Sequence, residues 1–260
     1  MAYEMILTER TGDVLVITLN RPDRLNAAPP AMFDEIRDAL ATLDGARAVL
    51  IQGAGRAFCS GADVSGQVLA SADPAAATSS ALTDHYHPTV LAVSRLGVPV
   101  VSAVRGPAAG IGCSLALAAD FCVTSDTAYF LQAFVNIGLV PDGGATWLLP
   151  RLVGRSRALE MMMLGEKLPA LKARDWGLVH SVVSDEQLEH EALALATRLA
   201  AGPTAALGLI RQGMAEALEA TLEQTLAMEA DNQRAAFATA DAKEGGMAFL
   251  QKRKPSFTGK

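Results

Sequence analysis

Cysteine, aromatic side chains and long uncharged runs are all scarce in this chain of 260 residues. Its three cysteines, Cys59, Cys113 and Cys122, are odd in number, lie in apolar stretches and lack CxxC spacing, so neither a disulfide framework nor a zinc site is indicated. Such usage suits a reducing cytoplasm. The amino terminus, MAYEMILTER, carries acidic residues and has no basic stretch followed by an apolar run, which excludes a secretory signal there. Uncharged stretches such as Thr127–Pro141 fall short of the roughly 18 residues of a spanning helix and contain Gly or Pro, so a soluble protein is expected.

Charged residues make up 19% and hydrophobic residues 50%, a balance that excludes a disordered or collagen-like chain. A net charge of −6 leaves no cation excess to displace phosphate counterions, which argues against a general nucleic-acid binder. The exception is local. Lys243, Lys252, Arg253, Lys254 and Lys260 against Glu244 give +4 over residues 243–260 and therefore −10 over the rest. Such a tail could meet a small anionic ligand or stand as a solvated basic terminus.

The β-branched run Val14–Leu19 predicts a strand that Asn20-Arg21-Pro22 stops. Pro30 opens a helix in which Phe33, Ile36, Leu40 and Leu43 recur at helical spacing. Ala48–Gln52 reads as a buried strand entering Gly53-Ala54-Gly55. The order repeats: a helix over Thr89–Leu96, a strand over Val98–Val104, the glycine turn Gly106–Gly112, a helix through Ala119 and a strand over Phe121–Thr124. This traffic suggests a layered α/β fold with stacked turns. From about Asp185 the strands stop, and helices are expected over Glu186–Ala201, Thr204–Leu218, Thr221–Thr239 and Glu244–Lys252. Val64–Thr83, rich in Ala and Ser, reads as a mobile loop or a frayed helix.

Two glycine turns, Ser60-Gly61-Ala62-Asp63 and Gly106–Gly112, each follow a strand and let main-chain N–H groups approach a ligand without a Cβ in the way. They could converge on one oxygen, or serve only tight turns and close packing. Neither nucleotide fingerprint fits: Gly110-Ile111-Gly112 lacks the third glycine of GxGxxG, and no GxxxxGK[ST] exists. A third cluster, Pro141-Asp142-Gly143-Gly144, sets a carboxylate between apolar runs. Desolvation there would raise its pKa toward that of a useful base, although Asp before Gly-Gly also suits a helix cap. Gly112-Cys113-Ser114-Leu115-Ala116 is a degraded nucleophile elbow, and Ser114 reads as packed or capping. His85 and His87 could face one side of a strand and bind metal, but no third ligand lies nearby. Met161-Met162-Met163 reads as core filling within a helix.

Taken together, five segments resemble the enoyl-CoA hydratase/isomerase family, or crotonase superfamily, over essentially the whole chain. They are Asn20–Ala27, Ala57–Asp63, Gly106–Asp120, Ile137–Asp142 and Ala248–Arg253. The resemblance implies an α/β fold, a crotonase-like spiral of β-β-α turns with a C-terminal helical trimerisation region. Residues 1–195 would form the acyl-CoA-binding core, and 196–260 the helical oligomerisation region of a homotrimer or dimer of trimers. It further implies an acyl-CoA thioester substrate whose oxygen accepts the N–H groups of Ala62 and Ile111, the latter replacing a frequent glycine of the family.

Gapless matching puts Ser114 and Phe134 where the hydratase branch carries its two glutamates. Asp142 falls where isomerases of the family carry a single acid and where its aromatic dehalogenases carry a nucleophilic aspartate. Arg24, Ala27, Gly61, Asp63, Gly110, Phe134, Phe249 and Lys252 complete the implied acyl-CoA contacts. Phe249 and Lys252 would touch the adenine and phosphate of CoA on a neighbouring subunit, and the segment Val64–Thr83 would line the acyl end. No metal and no separate cofactor are implied, because coenzyme A is part of the substrate. The expectation is a cytoplasmic isomerase moving a double bond from the 3-enoyl to the 2-enoyl position, or in a ring-derived equivalent, with Asp142 as base. A weak hydratase, a hydrolase or dehalogenase using Asp142, and a non-catalytic acyl-CoA binder are the alternatives, with a Ser114 hydrolase behind them.

Overall fold

The computed structural model describes residues 3–63 and 71–260. Strand β1 (Ile6–Thr11) pairs antiparallel with β2 (Val14–Leu19), which pairs in parallel with β3 (Ala48–Gly53). Successive side chains of a strand point to opposite faces, so β2 divides its apolar residues between two cores. Leu15, Ile17 and Leu19 enter one together with Phe33 and Ile36 of helix α1 (Pro30–Ala41). Val14 and Val16 enter the other. A strand buried on both faces reads as a continuous apolar run, which is why its limits were legible.

After helix α2 (Pro74–Ala81) a π-helical turn over Leu82–Tyr86 leads directly into α3 (His87–Ser94). The part of Val64–Thr83 that is described is thus largely helical; residues 64–70 lie outside the described residues. His85 and His87 sit on this helical run, not on a strand. His85 Nδ1 lies 2.6 Å from Asp34 Oδ2, and no group of three His, Cys, Asp or Glu side chains that could hold a metal ion occurs among the described residues.

Strand β4 (Val100–Val104) starts after Pro99, which has no N–H for the ladder. It is followed by β5 (Pro107–Ala109), α4 (Ile111–Leu117), β6 (Phe121–Ser125) and β7 (Tyr129–Leu131). A 3-10 turn over Ala133–Ile137 then precedes α5 (Ala145–Leu164), which is broken at Gly154. Strand β8 (Leu168–Pro169), α6 (Ala170–Asp175) and β9 (Ser181–Val183) complete the sheets. The large sheet runs β1-β2-β3-β4-β6-β9 and the small one β5-β7-β8. Each of β3, β4 and β6 hands the chain to the small layer. A row of aligned residues, Cys59–Ala108–Phe130–Leu168, crosses successive turns of that layer. The molecule is an α/β spiral of stacked turns.

Helices α7 (Leu188–Ala200), α8 (Thr204–Ala217), α9 (Leu222–Phe237) and α10 (Ala240–Leu250) follow. Leu188, Ala192, Leu195, Ala196 and Ala200 press α7 onto the second face of the large sheet, so residue 195 lies within one packed helix. Helix α10 begins before the expected Glu244 because Thr239 Oγ1 accepts the N–H of Ala242 at 3.0 Å, a cap that Gly245-Gly246 concealed. Met161 is buried as expected, whereas Met163 is 65% exposed. The tail folds back: buried Asp241 accepts the N–H groups of Thr258 at 2.7 Å and Gly259 at 2.8 Å. No single described helix is long and apolar enough to cross a membrane; the bent pair Asp185–Ala200 and Thr204–Ala217 qualifies on length and composition alone.

Candidate active site

The first side of the site is built by a buried asparagine. Asn26 Oδ1 accepts the N–H of Arg21 at 2.8 Å, while its Nδ2 donates to the carbonyls of Ala54 at 3.0 Å and Ala57 at 2.8 Å. Those bonds lock Asn20–Ala27 against the loop after β3. Ala28 then bridges Ala62 in parallel: its N–H donates to Gly61 O at 2.8 Å and its carbonyl accepts Asp63 N–H at 3.0 Å. A trans peptide holds C=O and N–H in opposite directions, so this bridge aims the Ala62 N–H away from Ala28. Arg21 Nη1 donates to Asp63 Oδ2 at 2.8 Å and to the Ala27 carbonyl.

The second side is the turn into α4. Gly110 has φ +50°, and a Cβ there would lie 3.5 Å from Phe134 Cζ and 3.9 Å from Gly61 Cα. The two glycine turns and the Phe134 ring therefore meet. Ile111 is the first residue of α4, so its N–H has no partner within the helix. Cys59 joins the two turns, its N–H and C=O pairing with Pro107 and Ala109 while its thiol donates to Gly61 O at 3.7 Å. Burial pushes the Cys59, Cys113 and Cys122 thiols up to about 12.

The third side carries the acid. Gly143, at φ +60°, presses its backbone on α4: a Cβ there would collide with Ile111 Cδ1 and lie 2.8 Å from Ser114 Cβ. Ser114 Oγ donates to the main-chain carbonyl of Asp142 at 3.1 Å. Asp142 itself is half-buried, and its Oδ1 is sealed from water with no hydrogen-bond partner among the described residues. Burial raises its pKa to about 6. A carboxylate so placed takes and returns protons near neutral pH more readily than an exposed one.

Tyr86 was not singled out from the sequence. It ends the π turn, lies edge-on to Phe33 with ring centroids 4.8 Å apart, and donates its hydroxyl to Ala28 O at 2.7 Å. Burial, together with the charges of Cys59, Asp142 and Asp63, raises its pKa. Its only signal in the sequence is that it is one of few aromatic residues in the chain, in a stretch whose helical form was not anticipated.

Gly61, Ala62, Gly110, Ile111, Phe134 and Asp142 are thus brought together, with Ala27 and Asp63 joined to them through Arg21. Arg24 projects from an exposed 3-10 turn over Pro22–Arg24. Phe249, 82% exposed, and Lys252 lie at the end of α10, and no hydrogen bond among the described residues joins them to Asp142. Ser114 is buried within α4 and spends its proton on a carbonyl.

The model of the family described as enoyl-CoA hydratase/isomerase matches residues 9–260. Over 260 residues the chain is 42% identical to a protein of Escherichia coli (strain K12) named 1,2-epoxyphenylacetyl-CoA isomerase, covering 99% of each. It is also 42% identical over 261 residues to a Rhodobacter capsulatus protein named "Probable enoyl-CoA hydratase", covering 100% of each. The crystal structure of an enoyl-CoA hydratase from Polaromonas sp. JS666 superposes with a TM-score of 0.92 at 35% identity, with 97% of this chain and 99% of that one covered. The match spans the spiral, the glycine turns and the helical end alike, and on it the chain belongs to the enoyl-CoA hydratase/isomerase family of acyl-CoA enzymes.

Proposed function

We propose that this enzyme moves a double bond of an acyl-CoA from the 3-enoyl to the 2-enoyl position, or does so on a ring-derived equivalent, with Asp142 as its one acid–base group. The observation that carries the reading is the state of Asp142: a half-buried carboxylate with a pKa raised to about 6 and one buried oxygen without a hydrogen-bond partner among the described residues, on a turn whose Gly143 packs on Ile111 and Ser114. The resemblance of the motifs sets Ser114 and Phe134 against the two glutamates that deliver water in the hydratase branch, and neither side chain relays a proton as a carboxylate does. Asp142 takes the proton beside the thioester and the C–H electron pair becomes a dienolate. The same carboxyl then returns the proton to the far carbon, with no net gain or loss of electrons. The N–H groups of Ala62 and Ile111 bind the thioester oxygen as charge develops on it, and such preset donors need no reorganisation.

The exposed Phe249 and Lys252 suit the adenine and phosphate of CoA held by a neighbouring copy. An apolar groove of about 670 Å³ between α8 and α9, lined by Leu209, Ile210, Met214 and Leu226, supports assembly as a trimer or a dimer of trimers. The likeness to a protein named for a ring epoxide thioester supports the ring-derived variant of the substrate.

The test offers purified enzyme a 3-enoyl-CoA and a trans-2-enoyl-CoA, beside the Asp142→Asn variant. Isomerisation abolished by the substitution is expected. Fast hydration of the second substrate, indifferent to the substitution, would sink the reading. Asp142 Oδ1, without a partner among the described residues, equally suits a nucleophile, and incorporation of solvent oxygen into Asp142 during a single turnover would favour that hydrolase or dehalogenase reading instead.

A further inference from the structure

We propose that Tyr86 is a positioning residue for this reaction, its buried hydroxyl fixing the Ala28 carbonyl and, through the Ala28–Ala62 bridge, the direction of the Ala62 N–H. The inference rests on the assignment of that N–H to the thioester oxygen and goes beyond it by naming what aims the donor.

Ala28 is the hinge of the argument. Its carbonyl accepts two bonds, from Tyr86 O–H at 2.7 Å and from Asp63 N–H at 3.0 Å, and its N–H donates to Gly61 O at 2.8 Å. The Gly61–Ala62 peptide is therefore held by its carbonyl, and rotation of Ala28 rotates the N–H on the opposite edge of that peptide plane. The bridge consists of one residue on each side, not a full ladder. Tyr86 comes from 58 residues away and anchors it from outside. A π turn inserts one more residue per turn than the α-helix it leads into, and this one brings the Tyr86 ring onto Phe33.

Tyr86→Phe removes the hydroxyl alone. The ring still packs on Phe33 and Ala28 O keeps the Asp63 N–H, so the fold is not the quantity at stake. The probe is a 4-dimethylaminocinnamoyl-CoA thioester, whose absorption moves to longer wavelength when donors polarise its carbonyl. Wild-type enzyme is expected to shift the band, and Tyr86→Phe to lose half of that shift or more while binding the thioester within about threefold. On 3-enoyl-CoA, kcat is expected to fall about tenfold, the size of one well-placed hydrogen bond, with KM within about twofold.

Thr89→Val serves as the structural comparison, because Thr89 shares its hydroxyl proton between Phe33 O of α1 and His85 O of the preceding turn, and neither bond involves Ala28 or Ala62. It is expected to lower the thermal midpoint and leave the band in place. A full shift with unchanged kcat in Tyr86→Phe would overturn the proposal. Equal loss of the shift in Thr89→Val would also overturn it, by assigning the effect to loosening of α3. Displacement of the acid limb of the pH profile in Tyr86→Phe would mean that the hydroxyl acts on Asp142 instead. A wild-type band that does not move overturns the Ala62 assignment and this inference with it, whereas a moving wild-type band that survives Tyr86→Phe overturns this inference alone.

Discussion

Ser114 grips Asp142 by its backbone: the hydroxyl donates to the main-chain carbonyl at 3.1 Å, and the carboxylate Oδ1 has no hydrogen-bond partner among the described residues. Ser114→Ala is therefore expected to lower stability by about 0.5–1.5 kcal/mol and to reduce kcat less than about tenfold, the worth of one neutral hydrogen bond. A serine nucleophile would lose its turnover outright. Thermal melts and steady-state assays of one preparation separate the two.

Removing the proposed acid–base group is expected to have a far larger effect. Asp142→Asn keeps the shape of the side chain and removes its capacity to accept a proton, so kcat on a 3-enoyl-CoA is expected to drop by about 10²–10⁴. KM should change little, since the variant keeps the glycine turns proposed to hold the thioester. A loss shared equally between kcat and affinity would show that Asp142 serves binding.

The pH dependence follows from the same burial. On the proposed role of Asp142 as base its unprotonated form is the active one, and with a pKa raised to about 6 kcat/KM is expected to climb with pH through about 6 and level off above it. An acid limb near 4, the range of an exposed aspartate, would contradict the placement of this carboxyl.

Stability carries the opposite sign. A carboxyl whose pKa is higher in the folded chain binds its proton more tightly there, so its favourable contribution is present in acid and is lost as pH rises toward and past 6. Asp142→Asn is expected to be close to wild type at pH 4 and to gain about 1–2 kcal/mol on it at pH 8, after allowance for partial exposure. Urea unfolding at the two pH values measures the difference.

Gly143 and Gly144 offer a matched pair. Both have positive φ, but a Cβ on Gly143 would strike Ile111 and Ser114, whereas one on Gly144 meets nothing within 4 Å. Gly144→Ala should cost about 1 kcal/mol for the backbone alone, and Gly143→Ala about 1–3 kcal/mol more from overpacking, with loss of kcat as Ile111 is displaced. Equal losses in the two variants would show that the contact with α4 does not matter.

The limits of β2 and the start of α1 were legible because each rests on a local signal, a β-branched run and a proline at the first turn, whereas Leu43, counted in the helix by its spacing, lies beyond its end at Ala41. Strand β1 was not, since Ile6 alone among its residues is buried and an edge strand leaves no alternation to read. Strands β5, β7 and β8, two or three residues each, are too short for any period, and only pairing across the spiral creates them. The site divides in the same way. The desolvated setting of Asp142 was visible in its apolar flanks, although Ile137, Leu139 and Val140 of that run prove exposed. The hydroxyl clamps of Ser114 and Tyr86 span 28 and 58 residues, and no local pattern announces a contact at that distance.

Cys59, fastened between the two glycine turns, gives the enzyme an internal reporter. Its sulfur is enclosed and its proton is held up to about 12, so an alkylating reagent reaches it only when the turns part. The speed of that labelling is a clock for breathing of the spiral, and an acyl-CoA that clasps both turns should slow it.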